Sequence, residues 1–141
     1  MCQTLGFHSS VPLVAETSES KRGKTQLFWA IYTTEKMLAL RLGRSSTIRD
    51  HDITVPRIGQ TTSRHALLNE LFPAWIETSD LQGRIYDEIY SPGSLAQPEA
   101  VRTSKARALA NEAKRLLQAQ DEIQVRGNMF STGKTRFTNF A

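Results

Sequence analysis

Residues 131–135, Ser-Thr-Gly-Lys-Thr, have the composition of a phosphate-binding loop. In such a loop, backbone amides surround the phosphates and the lysine neutralises their charge. The pattern also requires a glycine at position 128 and a β-strand ahead of the loop, whereas this chain has Asn128 and no apolar strand before it. Residues 23–25, Gly-Lys-Thr, fail in the same way because Ser18 occupies the glycine position. The sequence therefore predicts no nucleotide site at either place.

Residues 50–52, Asp-His-Asp, place three potential metal ligands in a row. Neighbouring side chains of an extended segment point to opposite faces, so this triplet is a poor chelate. His8 and His65 are isolated, and Cys2 is the only cysteine, which excludes an intramolecular disulfide and a cysteine-based zinc site made by this chain alone. We predict no metal site and a structural role for the two aspartates.

An acid/base pair could in principle be formed by two of four acidic side chains, Glu70, Glu77, Asp87 and Glu88. Carboxylates on helices are far more often solvated surface groups. No nucleophile, base and orienting group can be proposed together, because Cys2 is near a terminus and the histidines fall in predicted loops. We therefore predict that the chain is not an enzyme, has no catalytic residues and binds no cofactor.

The composition is that of one globular domain. The chain has 141 residues, of which 39% are hydrophobic and 23% are charged, and this length suffices to bury a core. No apolar run approaches the roughly 18 residues of a membrane span, and the N-terminus lacks the pattern of a secretory signal. These features predict an intracellular protein that does not associate with membranes.

The charges alternate in blocks along the chain. Basic residues concentrate at positions 41–64 and 101–126, and a mainly acidic stretch lies between them, while the net charge is only +4. Such blocks are typical of helices that neutralise one another or a partner, rather than of a DNA-binding stripe. We expect paired or solvated charges and no DNA-binding residues.

The element that must position any site is a long aromatic helix at residues 24–42. Leu27, Ile31, Leu38 and Leu42 fall on one helical face, which indicates an apolar helix. Aromatic residues around Trp29 widen the apolar surface, so we expect this helix at the centre of the core. A glycine at position 43 predicts its end.

Helical periodicity resumes at about residue 63, and Pro73 predicts a kink or two helices that meet there. Residues 91–93, Ser-Pro-Gly, predict a break, and a last helix on the outside of the bundle is predicted from Pro98 to about Gln124. Residues 45–56 and the tail at 127–141 are expected to be irregular. The predicted fold class is all-α, an irregular bundle of about four to five helices.

The sequence resembles a known family in the order of its motifs. Phe-Trp in the aromatic helix is followed by Leu-Arg-Leu-Gly-Arg, then by Asp-x-Asp-Ile-x-Val-Pro, and later by Gly-x-Ile-Tyr and Tyr-Ser-Pro. This order resembles the fungal-specific transcription factor domain, the middle homology region of binuclear zinc cluster regulators. The residues that carry the resemblance are Phe28, Trp29, Leu40, Arg41, Leu42, Gly43, Arg44, Asp50, Asp52, Ile53, Pro56, Gly83, Tyr86, Tyr90, Ser91 and Pro92.

The resemblance implies a nuclear transcription regulator that works through a helical regulatory domain. Residues 1–126 would be part of that domain, truncated upstream, and residues 127–141 an irregular tail. Zinc is implied only for the cysteine-rich DNA reader of the family, which this sequence lacks, so DNA would be contacted indirectly. Protein partners, the rest of a regulator or a second copy of the chain are the implied partners, and a link to a secondary-metabolite gene cluster is a further expectation.

Two alternatives stay open at this point. One is a stand-alone helical module that interacts with proteins or senses a small apolar ligand between its aromatic helices, and the other is a non-functional remnant of a regulator gene. Within the resembling region, we further hypothesise that Arg41 and Arg44 pair with Asp50 and Asp52 to fix the turn after the aromatic helix.

Overall fold

The computed structural model describes residues 5–11, 17–57 and 66–136, apart from the side chains of residues 66–70 and 128–136. All regular elements in these ranges are helical, which confirms the predicted all-α class. The α-helices are α1 (Ser18–Arg41), α2 (Ala66–Ile85), α3 (Pro92–Leu95) and α4 (Glu99–Arg136), with a 3-10 turn at Asp50–Asp52 and a π-helical turn at Tyr86–Tyr90.

Helix α1 begins earlier than the sequence pattern suggested. The Thr17 side chain accepts a hydrogen bond from the backbone amide of Ser20 at 3.4 Å, and Glu19 lies in the first turn. A hydroxyl cap and an acidic first turn both stabilise a helix N-terminus. Residues 18–23, which precede the helix predicted at residues 24–42, are therefore helical as well.

The predicted end of α1 at Gly43 is correct. Gly43 has φ of 64°, and its amide donates to the carbonyl of Leu40 at 3.1 Å while the amide of Arg44 donates to Ala39 at 2.9 Å. This pair of bonds is the Schellman motif. The motif needs a residue in the left-handed backbone conformation, which only glycine adopts without strain.

Only part of the apolar surface of α1 is buried. Leu27, Leu38 and Leu42 are 49%, 46% and 61% exposed, whereas Phe28, Trp29 and Tyr32 are at most 3% exposed. At about 100° per residue, the leucine and aromatic stripes lie on different sides of the helix. The aromatic stripe takes the core because it removes more apolar area from water.

Helix α2, not α1, is the central element. It packs against α1 on one side and α4 on the other, and Leu71, Ile76 and Leu81 are buried apolar side chains in its described part. It also runs through Pro73 as a single helix, so two helices meeting there, one of the two predicted possibilities, are not found. The loss of one backbone hydrogen bond to proline costs about 3 kcal/mol, which packing on two sides offsets here.

The break predicted at residues 91–93 lies at Ser91, which is extended. The Ser91 hydroxyl accepts from the amide of Ser94 at 3.2 Å and donates to the carbonyl of Asp87 at 2.6 Å, which joins the π-helical turn to α3. Pro92 occupies the first turn of α3, where a missing amide donor does no harm.

Helix α4 lies on the outside, as predicted, and Leu109 is the one buried apolar side chain among those that the structure describes there. It continues to Arg136, well beyond Gln124. Residues 127–136 are therefore helical, which corrects the predicted irregular tail, while residues 137–141 lie outside the described ranges. Glycine inside a helix costs only about 1 kcal/mol, so Gly127 does not stop α4.

The core lies between α1, the connection to α2, and α2 itself. Its buried members are Phe28, Trp29, Tyr32, Ile48, Val55 and Ile76. The rings of Trp29 and its two helical neighbours meet edge to face, with centroids 5.3 and 5.1 Å apart, an arrangement favoured for aromatic pairs. None of the helices in the described part of the chain has the length and apolarity that a membrane crossing needs.

Candidate functional site

Residues 44–57, the connection between α1 and α2, lie against the aromatic face of α1. Ile48 and Val55 contribute the apolar contact, and both are 5% exposed. The indole Nε1 of Trp29 donates to the carbonyl of Pro56 at 3.0 Å. This bond satisfies the one polar atom of a buried tryptophan, so the connection covers the aromatic face and also completes its hydrogen bonding.

A buried lysine fixes the middle of this connection. Lys36 is 2% exposed, and its Nζ donates to Asp50 Oδ2 at 2.7 Å and to the Ile48 carbonyl at 3.1 Å. The hydroxyl of Tyr32 donates to the other carboxylate oxygen of Asp50 at 2.6 Å. A buried ammonium is tolerated only when it is paired and hydrogen-bonded, and both conditions are met here.

Tyr32 acts in this cluster as a neutral donor. Burial raises the pKa of its hydroxyl well above the ordinary value of 10.0, and the hydrogen bond to Asp50 raises this pKa further. The hydroxyl is therefore protonated at every physiological pH. It cannot serve as a general base or nucleophile, and its role is to hold the carboxylate.

Gly83 connects α2 to the same cluster. A Cβ atom at this position would lie 3.0 Å from Nζ and 3.1 Å from Cδ of Lys36. The backbone of α2 approaches the lysine so closely that only a hydrogen fits without displacing it. Gly83, one of the residues that carry the family resemblance, is thus required because two helices approach closely there and not because the chain turns.

The start of the connection is held by a second acidic residue. Glu35 accepts hydrogen bonds from the Ser46 hydroxyl at 2.6 Å, from the Thr47 amide at 2.6 Å and from the Thr47 hydroxyl at 3.0 Å. Glu35 and Lys36, adjacent in α1, therefore hold two successive parts of the same segment.

The hypothesised pairing of Arg41 and Arg44 with the aspartates is wrong. Asp50 is occupied by Lys36 and Tyr32, while Asp52 is paired with His51 at 3.6 Å. Lys36 lies on the buried face of α1, where desolvation makes a charge pair shorter and better defined. Neither arginine has a hydrogen bond or ion pair with the described residues.

The remaining residues of the family pattern have local roles. Leu40, Ile53 and Tyr86 are half-buried, and Tyr90 is 57% exposed. Together with the Ser91 cap described above, they shape helix ends and the rim of the core. The structure therefore brings Phe28, Trp29, Asp50, Ile53, Pro56 and Gly83 to one region and leaves Arg41, Leu42, Arg44, Asp52 and Tyr90 on the surface.

An ion-pair network joins α2 to its neighbours. Arg84 contacts Asp80 at 3.4 Å and donates to Glu112 of α4, while Arg57 lies 3.5 Å from Asp80. The hydrogen bond from Arg84 lowers the pKa of Glu112, and the same bond raises the pKa of Arg84. Asp80 of the acidic stretch is thus paired with Arg57 of the first basic block and with Arg84 of the acidic stretch itself.

The chemistry of these clusters is structural. Among the described residues there is no group of three or more histidine, cysteine, aspartate and glutamate side chains that could hold a metal ion. The carboxylate of Asp50 has its two oxygens occupied, and Asp52 and His51 are exposed. These residues can shape a surface for binding, which is the role left to consider.

An open groove lies on the leucine side of α1, next to the start of the connection. It has a volume of about 580 Å³ and is lined by Ile31, Leu38 and Leu42 of α1, with Glu35, Arg44 and Thr47 at its edges. We call it the leucine groove. A smaller cavity of about 270 Å³ lies between α1, α2 and α4, beside Trp75 and Gln120.

Comparison with known proteins identifies the family. The model of the fungal specific transcription factor domain matches residues 1–118. The chain belongs to this family. It is a family of transcription regulators and not of enzymes, and the match contains α1, the connection that covers it, α2 and half of α4.

One curated relative comes from Schizosaccharomyces pombe (strain 972 / ATCC 24843) and is named an uncharacterized transcriptional regulatory protein. It is 28% identical over 98 residues, which cover 66% of this chain and 12% of the relative. The chain thus corresponds to a small part of that regulator. No solved structure matches the chain.

Sequence reasoning missed Lys36 and Gly83 as partners, and it missed Glu35 altogether. The sequence does contain a signal for Lys36. This residue follows Phe28, Trp29 and Tyr32 at helical spacing and so lies on the aromatic face. A lysine on the face with the largest aromatic side chains must be paired if that face is buried.

Proposed function

We propose that this chain acts in transcription regulation through contacts that its helical domain makes with other proteins in the nucleus. The observation that supports this most is the family match over residues 1–118. The described side chains support it further, since their buried polar clusters stabilise a scaffold, while an apolar groove on α1 remains accessible.

Direct contact with DNA is assigned by this proposal to a cysteine-rich zinc domain that these 141 residues do not contain. The regulator would then consist of a DNA reader and this domain, and the domain would set the activity of the bound reader. A role in a secondary-metabolite gene cluster is a finer form of the proposal. Transcript profiling of a deletion strain tests it, because the affected genes should lie together.

The test is a tethering experiment. The full chain, fused to a heterologous DNA-binding domain, should raise or lower a reporter several-fold relative to the DNA-binding domain alone. A matched fusion carrying Trp29→Ala should lose the effect, because it removes a core ring and the bond to Pro56. A soluble, folded fusion that leaves the reporter unchanged would overturn the proposal, and a fluorescent fusion excluded from the nucleus would overturn its location.

A ligand sensor is the second candidate function, and the cavity of about 270 Å³ is the observation that favours it. Met37 and Trp75 line this cavity beside the amides of Gln82 and Gln120, and its lining is mainly apolar, which fits the small apolar ligand considered from the sequence. Ligand-dependent stabilisation in thermal melts would support this function. A non-functional remnant predicts instead that no protein of this length accumulates in cells.

A further inference from the structure

The leucine groove is part of a longer apolar stripe on α1. Leu27, Leu38 and Leu42 are 49%, 46% and 61% exposed, although their helix is one of the two that build the core. From Leu27 to Leu42 the stripe is about 22 Å long at 1.5 Å per residue. Large apolar side chains gathered on one helical face are typical of an interaction surface.

The charges around the groove are not balanced. Glu35, the acidic residue at its edge, already accepts three hydrogen bonds from Ser46 and Thr47. Arg41 and Arg44, at the C-terminal end of the stripe, are exposed and have no ion pair with the described residues. The groove thus has an apolar floor, and the stripe ends at two arginines that have no acidic partner among the described residues.

The size of the stripe favours a single helix as occupant. A stable homodimer buries about 800 Å² on each partner, whereas a stripe about 22 Å long and one helix wide offers roughly half of that area. An amphipathic helix laid into a groove is a common recognition mode that needs only such a footprint.

We propose that the leucine groove binds an amphipathic helix of a partner protein that has acidic residues in its first turn and runs antiparallel to α1. This inference rests on the proposed function, since it names the kind of partner through which the domain would regulate. In this orientation the acidic turn lies beside Arg41 and Arg44. The positive N-terminal end of the partner helix dipole also meets the negative C-terminal end of α1, and acidic residues stabilise that same helix end.

The probe is a synthetic, fluorescently labelled amphipathic helix of about 18 residues, the length that spans the stripe with a turn to spare. It carries leucines at helical spacing on one face and two glutamates in its first turn. A second peptide has lysines in place of these glutamates. Anisotropy titrations of the full chain measure the binding of both.

The acidic peptide should bind at least tenfold more tightly than the lysine peptide. Leu38→Glu should weaken the acidic peptide about tenfold or more, and Arg44→Glu should reverse the preference so that the lysine peptide binds better. Such a reversal is the mark of charge complementarity. Leu117→Glu and Arg107→Glu, which change exposed residues of the same types on α4, are the matched controls and should leave binding unchanged. Circular dichroism confirms that each variant is folded.

Three results would overturn the inference. The first is absence of peptide binding to the folded chain, and the second is equal binding of both peptides. The third is a stable dimer in sedimentation experiments that Leu38→Glu dissociates, because the groove would then belong to a second copy.

The tethering experiment separates this inference from the proposed function. A fusion that regulates the reporter and is insensitive to Leu38→Glu would remove the groove from the mechanism while the function stands. A fusion without regulatory effect, from a chain that binds the acidic peptide selectively, would overturn the function while the groove stands.

Discussion

Lys36 shows how a single residue can determine which segment packs against a helix. Its ammonium is buried, donates to a carboxylate and a carbonyl of the connection, and lies under the backbone of Gly83. Three parts of the chain therefore meet at one atom. In a protein interior such a pair adds geometric definition, and its net contribution to stability depends on how completely it is satisfied.

Replacing Lys36 by methionine tests that contribution. Lys36→Met keeps an unbranched apolar stem and removes the donor to Asp50, so we expect a loss of about 2 kcal/mol in the free energy of unfolding. Lys114→Met, at an exposed position of α4, should change it by less than about 0.5 kcal/mol. Urea denaturation at neutral pH measures both. If Lys36→Met is as stable as the wild type, apolar burial replaces the pair fully.

The raised pKa of Tyr32 predicts an alkaline limit to stability. A group whose pKa is higher in the folded state contributes stability that is complete below its ordinary value of 10.0 and is lost as the pH rises toward the folded value. The urea midpoint of the wild type should therefore begin to fall as the pH rises through about 10, and it should continue to fall above that pH. Tyr32→Phe should be less stable by about 1 kcal/mol at pH 8 and show a smaller fall.

Tyr90→Phe is the matched control, because Tyr90 is 57% exposed. It should retain the pH dependence of the wild type. If the urea midpoint falls with pH equally in Tyr32→Phe and in the wild type, the Tyr32 hydroxyl does not cause the loss of stability at alkaline pH.

At the scale of elements, α1 and α2 illustrate two different uses of glycine. Gly83 in α2 faces Lys36, whereas Gly23 in α1 has no atom within 4 Å of the position that a Cβ would take. Both glycines lie inside helices. Their substitution by alanine therefore differs in only one respect, which is the space available.

Gly83→Ala and Gly23→Ala should shift stability in opposite directions. In an open helical position alanine stabilises by about 0.5–1 kcal/mol, and this is expected for Gly23→Ala. Gly83→Ala should instead destabilise by about 1 kcal/mol, because the added carbon displaces a lysine held by two hydrogen bonds. Thermal and urea unfolding measure both changes. In a Lys36→Ala background the cost of Gly83→Ala should disappear, and a cost that persists would locate the strain elsewhere.

The elements also show what a sequence pattern can and cannot predict. Gly43 was predictable as a helix stop because the left-handed conformation is a local property. The choice between the leucine and aromatic faces of α1 was not, since both repeat at helical spacing and only the partner segment decides which is covered. The continuity of α2 through Pro73 depends in the same way on packing by α1 and α4, which a local rule does not contain.

The candidate site was predictable in its residue types and not in its partners. The family-like order of residues led to Asp50 and Gly83, but the cation for Asp50 was sought among nearby arginines. Lys36 reaches it because the 3-10 turn at Asp50–Asp52 folds back over the aromatic face, and that path depends on burial of Ile48 and Val55. A pairing of this kind follows from the tertiary fold and not from spacing.

At the scale of the whole molecule, α4 is joined to the rest through α2. Arg84 donates to Glu112 and contacts Asp80, so one guanidinium connects two carboxylates from different helices. Both carboxylates are partly exposed, and solvent screens such pairs strongly. The network should therefore affect the position of α4 against α2 more than it affects the free energy of unfolding.

Glu112→Gln tests this network through its pH dependence. The pKa of Glu112 is lowered in the folded state by Arg84, so its contribution is present above the ordinary glutamate value and is lost as the pH falls through the folded value. At neutral pH and low salt, Glu112→Gln should cost about 0.5 kcal/mol or less. The difference from wild type should vanish in acid and in high salt, whereas Glu122→Gln, at an exposed position, should show no difference at any pH. A difference that persists in acid would contradict the assigned pairing.

The contacts of the connection have a consequence for the order of folding during synthesis. The hydrogen bonds that hold it to α1 are short in sequence. Glu35 to Ser46 and Thr47 span 11 and 12 residues, and Lys36 to Ile48 and Asp50, Tyr32 to Asp50, and Trp29 to Pro56 span 12, 14, 18 and 27 residues. Near contacts of this kind form fast because little loop entropy opposes them. Once Pro56 has left the ribosome, the connection can already cover the aromatic rings of α1 and so protect the nascent chain from aggregation. Helices α2 and α4 then pack onto a partly formed core.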